Sequence, residues 1–491
     1  MQPKVPLLNY APDADPTTPG IITNCANFIP TLKGYRGAPA PSTGTLSTAL
    51  AANCQGAVTL RKLDDTSRTF AGTGVALYEA AATSWTDRTR ASGAYTAGSD
   101  LRWTFAQFGD VSLASIKSDT LQASTNGAFS NVTGAPKASI VETAENFVFL
   151  FDTNEVTYGD SPNRWWCCAR GDHTDWTPSV STQSATGTLT SIPGKITAAK
   201  RYGNGIVVFK QKGMYIGTYV SPQAAIWDFQ EVPGDAGSQS NEAVINIGTA
   251  DDPRLIFMGF DDFYLFDGAR PVSLGTNLLK ETVFAELNKQ YAQMCRAVHD
   301  RINSRVYFYY PSSGQITPDK CVVYNYKSNK WGRDDRSVQA CFEYITPGVT
   351  YDDLGTLYST YNDFPDVSYD SSFWTAGFPA PAIINTSKVL QTLNGNSTSS
   401  SMTSGDIGDD SKFTLLTRVK PRFITAPTSA SMVNYYRNNL GDSLTTDATT
   451  TMSSGRFDVM RESRWHRFRQ DFTGPVEIAG NVIDLEPAGD E

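Results

Sequence analysis

The stretch NRWWCCARGDHTDWTP, residues 163–178, gathers two cysteines, a histidine, two aspartates and three tryptophans within sixteen positions. These are the residue types of zinc coordination and of thiol nucleophiles. A zinc site needs Cys or His ligands that converge on one point. Cys167 and Cys168 are adjacent, and in an extended chain successive side chains face opposite ways, so the two thiols diverge. His173 has no second histidine near it, the others being His299 and His466. The stretch therefore reads as strand, turn and strand, with no metal bound.

Other candidates read the same way. The turn DHTDW resembles the Asp box of sialidase-type propellers, with Asp172, Thr174 and Trp176 at its later positions and His173 in place of its glycine. An Asp box closes a hairpin away from any chemistry. Glycoside hydrolysis needs two carboxylates across a concave pocket, whereas the pairs Asp64/Asp65, Asp261/Asp262, Asp334/Asp335 and Asp409/Asp410 fall in turn-like segments and read as solvated loop acids. GTG at Gly72–Gly74 and GNG at Gly203–Gly205 read as turns, and no nucleophile elbow, phosphate loop or HExxH motif occurs. The basic run RESRWHRFRQ, residues 461–470, is the one candidate contact surface. Arg464, Arg467 and Arg469, interleaved with Trp465 and Phe468, could lie near DNA or form an edge-strand or subunit contact. No catalytic residue, cofactor or metal is expected.

Composition narrows the class. The 491 residues are 40% hydrophobic, 11% aromatic and 19% charged, rich in Gly, Tyr and Phe, which favours pleated sheets joined by tight turns. A net charge of −9 opposes any role that neutralises phosphates across a broad surface. The seven cysteines are scattered and include no CxxC pair, so buried free thiols in a reducing compartment are expected. No run approaches 18 apolar residues, and the first residues lack a charged segment followed by an apolar one. Neither a membrane span nor a signal peptide is expected, and folding in a cytoplasm follows.

The elements that must carry these residues repeat one theme. From about Ala57 an apolar or aromatic strand, a tight turn and a second aromatic strand recur at roughly 45 to 60 residues, the spacing of four-stranded propeller blades. FVFLFDTNEVTYGDSPNRWWCC, IVVFKQKGMYIGTYV, LIFMGFDDFYLFDG and RVYFYYPSSGQITPDKCVVYNYKSNKW are the clearest instances, and GTLYSTYNDFPDVSYD is a seventh, fainter one. Phe147, Phe149 and Phe151 alternate with Val148 and Leu150, so that strand is expected to be buried on both faces. The expected fold is mainly β: a six-bladed or seven-unit β-propeller over 51–375, with a helix inserted near 276–290 behind a Thr276 or Asn277 cap. A Pro-rich extended arm (1–50) precedes it. A linker or loop (376–411) and a C-terminal β-extension or small β-domain (412–491) follow.

PGIITNCANFIPTLKGYRGAP (Pro19–Pro39), SWTDRTRASGAY, WTFAQFGD, VVYNYKSNKW and GNVIDLEPAG together resemble the tail-hub or nozzle proteins of short-tailed bacteriophages, the phage stabilisation or head-closure group, in order and spacing over nearly the full length. The resemblance implies a non-enzymatic virion protein of the tail, made in the host bacterial cytoplasm. It would assemble as a homo-hexamer beneath the portal and adaptor ring, carry tail fibres or tailspikes and a tip or needle protein, and let double-stranded DNA pass through its lumen without sequence-specific binding. It implies no cofactor and no catalytic residue. A glycan-binding or glycan-cleaving propeller of the sialidase type, or a receptor-adhesion module, is the alternative the sequence leaves open.

Overall fold

In the computed structural model the described residues are 4–44, 46–221, 225–249, 251–345, 360 and 379–490. They are mainly β-strand, with one α-helix, Lys280–Glu286, and two short 3-10 turns. The faint seventh repeat, residues 355–370, lies outside the described residues except for Thr360.

The core of the molecule is a β-propeller arrangement built from successive antiparallel meanders. Four of them stand alone as four-stranded sheets: the strands within 54–87, within 196–231, within 244–273, and Val338–Tyr344, Ala380–Asn385 and Leu390–Gly395 completed by Ala40–Ser42. The six or seven separate blades expected from the repeat thus reduce to four free-standing ones. Residues 104–188 form a single eight-stranded sheet, because Thr120 pairs with Lys137 and joins two meanders. The strands of residues 296–333 are absorbed into a ten-stranded sheet by N- and C-terminal strands. The first strand of each meander packs against the first strand of the next. The series runs through Cys54–Arg61, Thr104–Phe108, Lys137–Ala144, Ile196–Tyr202, Val244–Asn246, Arg296–Asp300 and Val338–Tyr344, and the last touches the first.

The double-sided burial expected of the Phe147–Glu155 strand is present. Phe147, Phe149 and Phe151 enter one core cluster, and Val148 and Leu150 enter another on the opposite face. Gly72, expected in a turn, lies inside the strand Ser67–Thr73, where a Cβ would come within 2.3 Å of the Trp103 ring. Only glycine leaves room for that buried indole against the strand.

The N-terminal arm is extended but threaded through the fold. Lys4–Pro6 pairs with Glu477–Asp490, and Ile22–Ala26 pairs with Ser399–Ser404. Phe28–Pro30 and Tyr35–Gly37 bridge Lys330–Arg333 to the C-terminal strand Glu477–Asp490. Tyr35 fixes this bridge: its hydroxyl donates to the Trp331 carbonyl at 2.7 Å and accepts from the Tyr10 amide at 2.9 Å. Residues 376–411, expected as a linker, instead carry the strands Ala380–Asn385, Leu390–Gly395, Ser399–Ser404 and Ile407–Gly408. Their Ser- and Thr-rich composition misleads because Ser399–Ser404 is paired on both sides, with buried Met402, Ser400 and Ser404 facing packed neighbours.

The inserted helix sits where periodicity places it, but its cap is not local. Thr276 is held by the Asp262 carboxylate. The first helical amides, Glu281 and Thr282, donate to Asp13 of the arm at 2.6 and 3.0 Å. A carboxylate at a helix N-terminus satisfies orphan donors and complements the dipole. A distant segment here does what a neighbouring residue usually does.

Candidate functional site

The cysteine-rich stretch is architecture. The strand Gly159–Cys167 ends at Cys167, which joins the cluster of Phe149 and Trp227; Cys168 joins that of Val148 and Trp176, so the thiols do face apart. The Cys168 thiol is pushed up to about 12 by burial, and the Cys167 thiol is raised further by the same cause. Cys168 Sγ accepts a hydrogen bond from the Val148 amide at 3.1 Å. Trp176 is buried in the turn segment and donates to the His173 carbonyl. It is not in register with Trp227 and Trp331, which lie on fourth strands of their meanders, as does Trp85. Among the described residues no cluster of three His, Cys, Asp or Glu has metal-binding geometry.

Two of the acidic pairs depart from the solvated-loop expectation. Asp64 and Asp409 are exposed turn carboxylates bonded to Thr66 and Ser411. Asp262 is buried and ties together the amides of Phe263 and Gly275 and the hydroxyls of Ser273 and Thr276. Asp334 is fully buried and paired with Arg336 at 2.8 Å. Both are structural bases of turns, which a charged residue in a Gly- and Ser-rich segment does not announce.

The three candidate arginines of the basic run, Arg464, Arg467 and Arg469, differ from one another. Arg467 grips Asp406 through two hydrogen bonds of 2.9 Å, and Arg437 binds the same fully buried carboxylate. Arg469 pairs with Asp471 at 2.7 Å and is half exposed. The Arg464 guanidinium lies over the Phe413 ring at 5.1 Å. Arg467 and Arg469 share an open groove with Pro12, Asn24 and Tyr435. Arg467 is thus spoken for by the fold, whereas Arg469 is held only by a surface pair.

Another charge cluster lies where the first strands begin. Arg102, two residues ahead of the strand Thr104–Phe108, reaches Glu242 with Nη2 at 3.0 Å from Oε2 and 3.1 Å from Oε1. The same guanidinium donates to the carbonyls of Cys54 and Gln339, each at 3.2 Å. One side chain thus connects three separate meanders across the ring. Arg296, which opens another first strand, completes the cluster with Nε 3.8 Å from Glu242 Oε2. Burial, reinforced by the Arg102 charge, pushes Arg296 down to about 10. Sequence reasoning missed this cluster because its members lie far apart in the chain and no spacing links them.

A cavity of about 130 Å³ lies on one side of the cluster, lined by Arg102, Glu242, Lys117, Asp152, Ser139 and Gln239. Lys117 binds the Asp152 carboxylate and also Asp160 at 2.8 Å, and Ser139 donates to Asp152 at 2.5 Å. Deeper among the first strands, burial raises the Glu142 carboxyl and lowers the Lys200 ammonium, each partly offset by the other's charge. Lys117 is thus matched by carboxylates, whereas Arg102 and Arg296 share the one carboxylate of Glu242. The Ser139 hydroxyl meets a carboxylate that is already ion-paired with Lys117.

No family model and no curated protein matches the chain. Solved structures resemble it distantly. YCF48 bound to D1 peptide is 13% identical over 62% of this chain and 86% of its own, with a TM-score of 0.34. The computationally designed Ika8 protein is 8% identical over 72% and 99%, with a TM-score of 0.36. The exo-beta-1,3-galactanase of Phanerochaete chrysosporium, with galactose, is 8% identical over 91% and 100%, with a TM-score of 0.29.

Proposed function

We propose that this chain is a structural, non-enzymatic subunit of a short-tailed bacteriophage tail, a hub or nozzle that assembles as a hexameric ring beneath the portal and adaptor. The observation that carries the reading is the position of the segment Pro19–Pro39, one of the five motifs on which the resemblance together rests. Its strands Phe28–Pro30 and Tyr35–Gly37 join the propeller to the C-terminal strands. A segment used as a splint between two β-regions suits a load-bearing virion part. The charged groups of the ring interior and the basic strand also support it, since most are held in structural pairs.

The reading extends to the ring itself as seven four-stranded units, of which two share one sheet and one is extended by terminal strands. The closed series of first strands supports this count. So does the pairing of Ala40–Ser42 with Leu390–Gly395, which lets an N-terminal strand finish the last unit. In the proposed assembly an acidic lumen lets DNA pass without adhering. Fibres or spikes and a tip protein attach to the same ring.

Mass photometry and negative-stain imaging of the purified chain, alone and with an adaptor ring, test the reading. Six-fold rings are expected. A chain that stays monomeric at high concentration with adaptor present, and that cleaves oligosaccharides, overturns it.

A further inference from the structure

Leu32, Ile302 and Ile424 are exposed aliphatic side chains, the first two at 66%, and all three line one open groove of about 370 Å³. Leu32 sits in the turn joining Phe28–Pro30 to Tyr35–Gly37, Ile302 in that joining Arg296–Asp300 to Arg305–Tyr310, and Ile424 at the end of Lys412–Thr425. Lys33, Arg36 and Lys327 line the same groove, and none of them has an ion pair among the described residues. Arg305 is spent on the Pro30 carbonyl and lies 3.9 Å from Asp300, and Glu477 is the one carboxylate in the lining. Exposed apolar side chains gathered in this way mark a contact surface. No aromatic ring lines the groove for a base to stack on, and Glu477 sits among its cations, so a nucleic-acid strand fits it poorly.

A feature of opposite character stands three first strands back along the series, on the meander that begins with Lys137–Ala144. Phe147–Glu155 and Gly159–Cys167 form a hairpin whose tip, residues 155–160, projects a fully exposed Val156 and a half-exposed Tyr158. The tip carries two carboxylates, Glu155 and Asp160, and no cation. Glu155 accepts from the Thr157 and Tyr158 amides at 2.7 and 2.6 Å, and Arg164 lies over the Tyr158 ring at 3.5 Å, so the knob is held in one shape before any partner arrives. Asp160 shares Lys117 with Asp152, so three carboxylates here meet two cations, Arg164 included. Strand direction alternates within a meander, so this turn between second and third strands emerges on the propeller face opposite the Ile302 turn, which follows a first strand. Knob and groove therefore cannot meet within one chain.

We propose that the hairpin tip of one copy seats in the 370 Å³ groove of a second copy. Val156 packs against Leu32, Ile302 and Ile424, and Glu155 and Asp160 face Lys33, Arg36 and Lys327. Opposite charge on the two surfaces sets the orientation. The surfaces differ, so the contact is heterologous and passes from copy to copy, closing as a ring or continuing as a filament. It deepens the ring reading above by naming the contact between subunits.

Cross-linking between two variants tests it. Copies carrying Val156→Cys are mixed with copies carrying Leu32→Cys and treated with a short bis-maleimide; the native cysteines are all buried and do not compete. A covalent dimer from the mixture, absent from either variant alone, is expected. Val156→Lys sets a like charge among the groove's cations and should weaken self-association at least about tenfold in sedimentation velocity. Its melting temperature should not move, because the side chain is fully exposed. Lys33→Glu combined with Lys327→Glu should act in the same direction. Six-fold rings that form equally well with Val156→Lys and give no cross-link overturn this contact and leave the ring reading standing. Cross-linked filaments without six-fold rings do the reverse. Cross-linking of one variant with itself, or a chain that stays monomeric and gives no cross-link, overturns the proposal.

Discussion

Arg102 and Glu242 are 140 residues apart in the chain and meet in a bidentate pair at the start of the propeller's first strands. The pair is mostly buried, at 13% and 20% side-chain exposure, so its loss is not screened away as a surface pair would be. Glu242→Gln leaves two guanidiniums facing each other without a counter-charge. It should cost about 3 kcal/mol of unfolding free energy. Arg102→Met should cost less, because Arg296 is near enough to take over Glu242. Urea unfolding of both variants checks the order, and equal losses would mean that Arg296 does not couple to Glu242.

Trp176 and the adjacent cysteines should behave very differently on truncation. Trp176→Ala removes a buried indole from the cluster of Leu150, Val148 and Cys168 and should cost about 3 to 5 kcal/mol. Cys167→Ala should cost roughly 1 kcal/mol, the loss of one small buried group, and leave metal content unchanged. With both thiols raised by burial, neither should react with a thiol reagent at pH 8 until the chain unfolds. Rapid labelling of native protein at Cys167 or Cys168 would refute the burial argument.

These contrasts show where sequence reasoning succeeds. Alternation of Phe147 to Phe151 fixes a doubly buried strand because side-chain direction has period two, a strictly local rule. The opposed thiols follow from the same rule. The helix Lys280–Glu286 is local too, but its cap at Asp13 is not. Pairing of Ser399–Ser404, the fusion of sheets through Thr120 and Lys137, and the Arg102 cluster all depend on which distant strands meet. Composition misjudges such cases: a Ser-rich strand looks like a loop until it is paired on both edges.

Stability should fall as the solution is acidified through the histidine range. Burial, reinforced by Arg301, lowers His299 to about 4, while Glu343 at 3.5 Å offers little relief because it is bonded to Arg301 at 2.7 Å. His466 is lowered by burial as well. A histidine depressed in the folded state binds its proton more readily when unfolded. The native state is therefore favoured above about pH 6.5, and this contribution is lost progressively as pH falls toward 4. For His299 alone the loss amounts to about 3 kcal/mol. His299→Gln should flatten the unfolding free energy between pH 6.5 and 4 relative to the parent chain, and an unchanged slope would rule His299 out as its source.

Removing the N-terminal arm should unfold the protein rather than trim it. Residues 4–42 supply the closing strand Ala40–Ser42, the bridge through Tyr35 and the Asp13 helix cap. Deletion of residues 1–43 is expected to leave no soluble folded chain. Asp13→Ala, a milder probe, should cost about 1 kcal/mol as a lost cap. A deletion product with the parent's circular dichroism and melting temperature would show that the arm only decorates the surface.

Arg467 and Arg469 give the sharpest separation between folding and contact. They are two residues apart on the strand Trp465–Thr473 and share one groove, yet only Arg467 holds a fully buried carboxylate. Arg467→Leu leaves Asp406 with Arg437 alone and should cost about 2 to 4 kcal/mol, near the range for breaking a buried pair. Arg469→Ala removes an exposed ion pair and should stay within about 0.5 kcal/mol of the parent. If this strand serves a subunit contact, Arg469→Ala should weaken ring assembly while leaving the melting temperature unchanged. Arg467→Leu should lower the melting temperature first. Parallel melting curves and mass photometry on both variants distinguish the roles, and loss of thermal stability in Arg469→Ala would place it in the fold instead.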